Sequence, residues 1–232
     1  MKTKEISSMI KELTYKKLTM IAALVLFGAL IASAPVFAGS MVISGDQVKF
    51  IGQIPGSSPS GGVFEFTDVT QGFDFFTYCI ELNEYIAVDG IYYADVNTAA
   101  IHGGIGGGDP DPLDARTAWL FSQFAAGTLS NYTGDNASQT GLQDAIWYGE
   151  QETNSLPAGL ATTFWNSSTN ASGLYGVSVL NLWESYDPVN QVFSDPAQDV
   201  LFTAVPEPST ILLLGLGLTG LGLALRKKAK VN

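Results

Sequence analysis

The ten residues "FDFFTYCIEL" at 73–82 decide how the first half of this chain is read. Aromatic and β-branched side chains crowd together without a helical stripe, which is strand composition. Alternation along a strand puts Phe76, Tyr78, Ile80 and Leu82 on one face. Phe73, Phe75, Thr77, Cys79 and Glu81 share the other. Cys79 is the one cysteine in 232 residues, and it falls on the more polar of these faces. A cysteine that merely fills space is expected among apolar side chains, so this placement tilts away from plain packing.

The same composition continues on both sides. "MVISGDQVKFIG" at 41–52, "GVFEFTDV" at 62–69 and "EYIAVDGIYYADV" at 84–96 also read as strands, giving a strand region over 41–97. Glycine-rich "HGGIGGGDPDPLD" then interrupts it. Pro112 is the expected start of a helix with Asp111 as its cap, and "LDARTAWLFSQFAAG" carries helical spacing. A second helix is predicted over 138–152, with shorter helical pieces over 158–165 and 174–186. A closing strand is predicted over 191–204. Strands, an inserted helical block over 111–186 and a final strand describe an α+β domain, an antiparallel sandwich or barrel-like region carrying a helical subdomain.

The two ends read differently. Residues 1–17 carry five lysines, residues 18–34 are apolar, and Pro35-Val36-Phe37-Ala38 follows. This is a signal peptide over 1–38, cut between Ala38 and Gly39. Residues 206–232 begin with Pro206-Glu207-Pro208, continue with an apolar run over 211–225 and end in Arg226, Lys227, Lys228 and Lys230. That run is 15 residues long, short against the roughly 20 of a comfortable span. Its basic flank keeps the tail cytoplasmic and the domain outside.

The tripartite C-terminal end resembles the PEP-CTERM sorting signal of Gram-negative bacteria. The resemblance implies export, a transient inner-membrane anchor, processing by an exosortase, and a place at the cell surface or in an exopolysaccharide matrix. Residues 39–205 are then the passenger, one domain long enough to bury a sizeable core.

The passenger is strongly acidic. Nine of the 11 basic residues lie in the two ends, leaving Lys49 and Arg116 against 20 carboxylates counted from Gly39 through Glu207, a net charge near −18. Such a surface repels phosphate backbones, which argues against nucleic acid as a partner. "GGIGGGD" lacks the lysine of a phosphate loop. Asp109, Asp111 and Asp114 are acidic enough for calcium but lack a twelve-residue loop pattern. One histidine and one cysteine leave little for common hydrolase chemistry, so no enzyme, no cofactor and no metal are expected.

A lone thiol in an exported protein is buried, reactive or already bonded. The predicted second helix offers a partner type. Leu142, Ala145, Ile146 and Gly149 form its apolar stripe, and Gln143 lies at the stripe's margin, within reach of a neighbouring strand. By residues alone Gln143 also reads as a boundary glutamine with ordinary hydrogen bonds, and Cys79 as a buried spectator. Tyr78-Cys79-Ile80 with Leu142-Gln143-Asp144-Ala145-Ile146-Trp147 resembles the paired motifs of the thioester domains of bacterial surface adhesins. The resemblance spans about 73–152. It implies a Cys79–Gln143 thioester, shielded by Tyr78, Trp147 and Trp119, that acylates a nucleophile on a partner surface, a protein lysine or a glycan. The mature domain's only amines are Lys49 and its N-terminus, so little in the chain would consume such a bond. The alternative is a non-covalent structural or glycan-binding matrix protein.

Overall fold

A computed structural model describes residues 41–55, 57 and 61–204. The expected signal peptide with its Ala38–Gly39 cut, the Pro206-Glu207-Pro208 motif and the apolar run 211–225 lie outside the described residues. Strands β1 (Gln47–Gln53), β2 (Phe64–Asp68), β3 (Phe73–Thr77) and β4 (Ile91–Asn97) come first. Two short strands, β5 (Ala99–Ala100) and β6 (Asp111–Pro112), pair with each other. Helices α1 (Ala115–Ala125), α2 (Asn136–Gly149) and α3 (Leu160–Ser167) follow. The long strands β7 (Val177–Asp187) and β8 (Val192–Thr203) close the domain.

The main sheet runs β3-β2-β1-β4-β7-β8, with every pairing antiparallel. Its edges meet. Just past β3, Cys79 bridges Val200, Ile80 N–H donates to the Asp199 carbonyl at 3.1 Å, and Leu201 N–H donates to the Tyr78 carbonyl at 3.0 Å. The sheet therefore curls back on itself, which removes the unpaired edges that β3 and β8 would otherwise expose there. The fold is α+β, as composition predicts.

Two apolar clusters result. Inside the curl lie Val48, Phe50, Phe66, Phe75, Leu180, Leu182, Val200 and Phe202. Outside it, Tyr78, Ile80, Val177, Val179 and Leu201 pack against Leu120, Phe121, Leu142, Ile146 and Phe164 of the helices. Helix α2 serves both, because Leu142, Ala145 and Ile146 enter the outer cluster while Trp147 enters the inner one.

Several expectations are corrected. Residues 174–186 hold most of β7, not a helix. Val177 and Val179 face the helices while Leu180 and Leu182 face the interior, so both faces are buried and the alternation vanishes into one apolar run. Asp111 and Pro112 pair with Ala100 and Ala99 as strand. The helix begins later, capped by Asp114, whose carboxylate accepts from Arg116 N–H at 2.8 Å and Thr117 N–H at 3.3 Å. The helical block is thus 115–167. The strand predicted over 84–96 starts only at Ile91.

The cap yields a direct expectation. Asp114→Ala removes both acceptor contacts at the start of α1 and should cost about 1 kcal/mol in thermal or urea unfolding, with Asp114→Asn recovering most of it.

Candidate functional site

Cys79 sits where the chain leaves β3 and bridges β8, and its side chain points into the curl. The expectation of a polar outlook is therefore corrected. Phe73, Phe75, Thr77, Cys79 and Glu81 do share a face, but that face lines the interior beside Phe66, Leu180, Val200 and Trp147. The strand is buried on both sides here, and residue polarity alone does not reveal which face meets solvent.

Gln143 reaches the same place from α2. Asp135 starts that helix, accepting from Ser138 N–H at 2.8 Å. The buried stripe of Leu142, Ala145, Ile146 and Gly149 seats it. Gln143 is 1% exposed, at the centre of the packing and not at a margin. Its Nε2 donates to the Cys79 carbonyl at 2.8 Å, and its Oε1 accepts from Gly62 N–H at 3.3 Å. These partners fix the amide's orientation, because a carbonyl only accepts and a backbone N–H only donates. So oriented, Oε1 lies 3.4 Å from Cys79 Sγ, and the amide carbon is one bond of about 1.2 Å further on.

Gly61 and Gly62 form the third wall. Gly61 has φ +142°, and a Cβ there would lie 2.7 Å from Gln143 Cγ and 2.8 Å from Trp147 Cη2. Sequence reading did not single out this pair. The signal was present, since glycine beside a strand often marks close approach of another group.

Of the residues expected to shield the sulfur, only Trp147 is in position. It is buried in the sulfur's own cluster and lines the same cleft. Its Nε1 is buried without a hydrogen-bond partner among the described residues, yet the indole beside the thiol favours the thiolate. Tyr78 points to the opposite face, where its ring packs edge-on against Phe124 and its hydroxyl meets that of Tyr132 at 3.1 Å. Trp119 also packs against that outer cluster. Neighbours along a strand face opposite ways, so adjacency to Cys79 in sequence takes Tyr78 away from it in space.

A cleft of about 340 Å³ leads to the sulfur, lined by Gly61, Cys79, Glu81, Glu84, Tyr85 and Trp147 among others. Burial pushes the Cys79 thiol up to about 12, with the Glu152 and Glu81 carboxylates adding to it. Desolvation is the largest of these causes, ahead of the acidic surroundings. Glu81 itself is pushed up to about 9, first by burial and then by Glu152, Glu84, Asp199 and Asp111. Sequence reading missed this carboxyl cluster, whose members lie far apart in the chain.

Among the described residues, no group of three or more histidine, cysteine or acidic side chains is arranged to hold a metal ion. Asp109 faces His102 at 3.4 Å, Asp111 accepts from Gly108 N–H at 3.2 Å, and Asp114 caps α1.

Residues 204–228 match the PEP-CTERM protein-sorting motif. The match implies export and an exosortase as processing partner, and it begins directly after β8. No curated protein and no solved structure matches the chain.

Proposed function

We propose that this domain is a single-use acylating device, an exported adhesin-like protein carrying a Cys79–Gln143 thioester that bonds covalently to a nucleophile on a partner surface. The observation that carries the reading is the meeting of Cys79 Sγ and Gln143 Oε1 at 3.4 Å in a buried site, with the carboxamide held by two backbone groups. The sorting motif supports delivery outside the cell by way of a transient membrane anchor. Release at the surface or into the surrounding matrix of a Gram-negative bacterium follows from the same reading.

The chemistry balances. Sγ attacks the amide carbon, the C–S bond forms, the C–N bond breaks, and the thiol proton leaves with nitrogen as ammonia. Gly62 N–H, already on Oε1, polarises the carbonyl where negative charge develops. A thiolate leaves more readily than an amide nitrogen, so the product is a stored acyl donor. An incoming amine then forms an amide to Gln143 and restores the Cys79 thiol. Nothing regenerates the donor, so the protein acts once and is not an enzyme. Burial keeps water out until a partner enters the cleft, and Trp147 covers the site.

Intact mass of the mature domain tests this. The expected result is a mass lower by one ammonia, conversion to the methylamide with methylamine, and no deficit in Cys79→Ala or Gln143→Ala. A full-mass wild type with a thiol that alkylates at once in the native state overturns it, leaving a non-covalent matrix protein.

A further inference from the structure

Resting on the thioester reading, we propose that Glu81 is the proton relay of this site, carrying the proton between sulfur and nitrogen both when the thioester forms and when an amine opens it. Glu81 is two residues beyond Cys79, on the same interior face, and both line the one cleft. It is 5% exposed, and no hydrogen bond reaches its carboxyl from the described residues. Its backbone carbonyl, by contrast, accepts from Gln198 Nε2 at 2.7 Å.

An unpartnered buried carboxyl is costly unless another role retains it. Its acidic neighbours are already engaged. Glu84 Oε2 accepts from Asp199 N–H at 3.1 Å, and Glu152 Oε2 from Leu82 N–H at 3.0 Å. Asp199 Oδ2 accepts from Ile101 N–H at 2.6 Å, and Asp111 Oδ1 from Gly108 N–H. Glu152 Oε1 and Asp199 Oδ1 are left without partners among the described residues, but each of those carboxyls is anchored through its other oxygen. Glu81 is the cleft-lining member of the group whose carboxyl accepts no hydrogen bond from the described residues.

The relay answers a difficulty of the site. A thiol raised to about 12 is almost never ionised at neutral pH, and departing nitrogen needs a proton. As carboxylate, Glu81 takes the Sγ proton while the C–S bond forms, then delivers it to nitrogen as the C–N bond breaks. In aminolysis the path reverses: the amine nitrogen gives its proton to Glu81, the new C–N bond forms, and Glu81 protonates the departing sulfur. No proton is gained or lost in either direction. Burial first, and then the Glu152, Glu84, Asp199 and Asp111 carboxylates around it, raise the basicity such a relay needs.

Hydroxylamine, unprotonated across neutral and alkaline pH, isolates the protein's own titration. Opening of the wild-type thioester, followed by intact mass, should accelerate between about pH 7 and 10 as Glu81 ionises. Glu81→Gln should open about a hundredfold more slowly and lose that acceleration, and Glu81→Asp should restore part of both. An E81Q rate within about threefold of wild type with an unchanged pH profile overturns the relay while the thioester stands. A flat wild-type profile overturns it without any variant, should E81Q fail to fold. A wild type with no ammonia deficit overturns both readings together.

Discussion

Gly61→Ala is expected to abolish covalent capture while leaving Cys79 and Gln143 in the chain. The backbone at Gly61 has φ +142°, a region that side chains with a Cβ rarely adopt, and the added carbon would lie 2.7 Å from Gln143 Cγ and 2.8 Å from Trp147 Cη2. Neither neighbour yields easily. Trp147 is packed into the inner cluster, and Gln143 is tied to the Cys79 carbonyl and the Gly62 N–H. Relief requires the carboxamide to swing away, which takes the carbonyl carbon off the sulfur's path. Displacement of a reacting group by about 1 Å slows such steps on the order of a hundredfold. Strain and overpacking together should cost about 2–4 kcal/mol in urea unfolding. Gly52 supplies the control, with φ +144° and nothing within 4 Å of its would-be Cβ. Gly52→Ala should show backbone strain alone and keep the ammonia deficit. A Gly61→Ala protein with the wild-type mass deficit and methylamine reactivity would show that the close fit has no part in the chemistry.

The contrast between those two glycines also bounds what sequence reading reaches. Strands β1 to β3 are legible because their residues are aromatic and β-branched and their turns are punctuated. The helix carrying Gln143 is legible because Leu142, Ala145, Ile146 and Gly149 recur at helical spacing. Both signals are local. Strand β7 is not legible, since "VSVLNLW" is buried on its two faces and offers no period to read. The same blindness misplaced Cys79, because the helices cover the face that Tyr78 and Ile80 share and the curl of the sheet encloses the other. The pairing of Cys79 with Gln143 spans 64 residues, and no spacing rule says which helix lies over which strand. A resemblance of short motifs joined the two, and the packing of α2 is what gives that pairing a geometry. The carboxyl cluster had no local pattern to betray it, since Glu81, Glu152 and Asp199 meet only once the sheet has closed.

That cluster leads to the other large expected effect: the domain should lose stability as pH rises from about 5 to 9, against the usual trend for proteins held by ionised carboxylates. Burial is the first cause in each case, raising Glu81 to about 9, Glu150 to about 8 and Asp199 to about 7. In the unfolded chain these groups titrate near about 4. The folded state therefore prefers the protonated forms. That preference stabilises fully below the unfolded values and is lost as pH climbs through the folded ones. Across the three groups the loss should reach at least about 5 kcal/mol by pH 9. Asp135 and Asp187 work in the other direction. Ser138 N–H holds Asp135 below the usual carboxylate range, and the Asn190 side chain does the same for Asp187, so their contributions fade only in stronger acid. Urea unfolding at stepped pH measures the balance. Glu150→Gln should flatten the slope, because Gln keeps an acceptor for Asp114 N–H without a charge to bury. A stability that holds level or rises between pH 5 and 9 would mean these carboxyls are solvated or paired, and the buried acidic cluster beside Cys79 would then lose its physical basis.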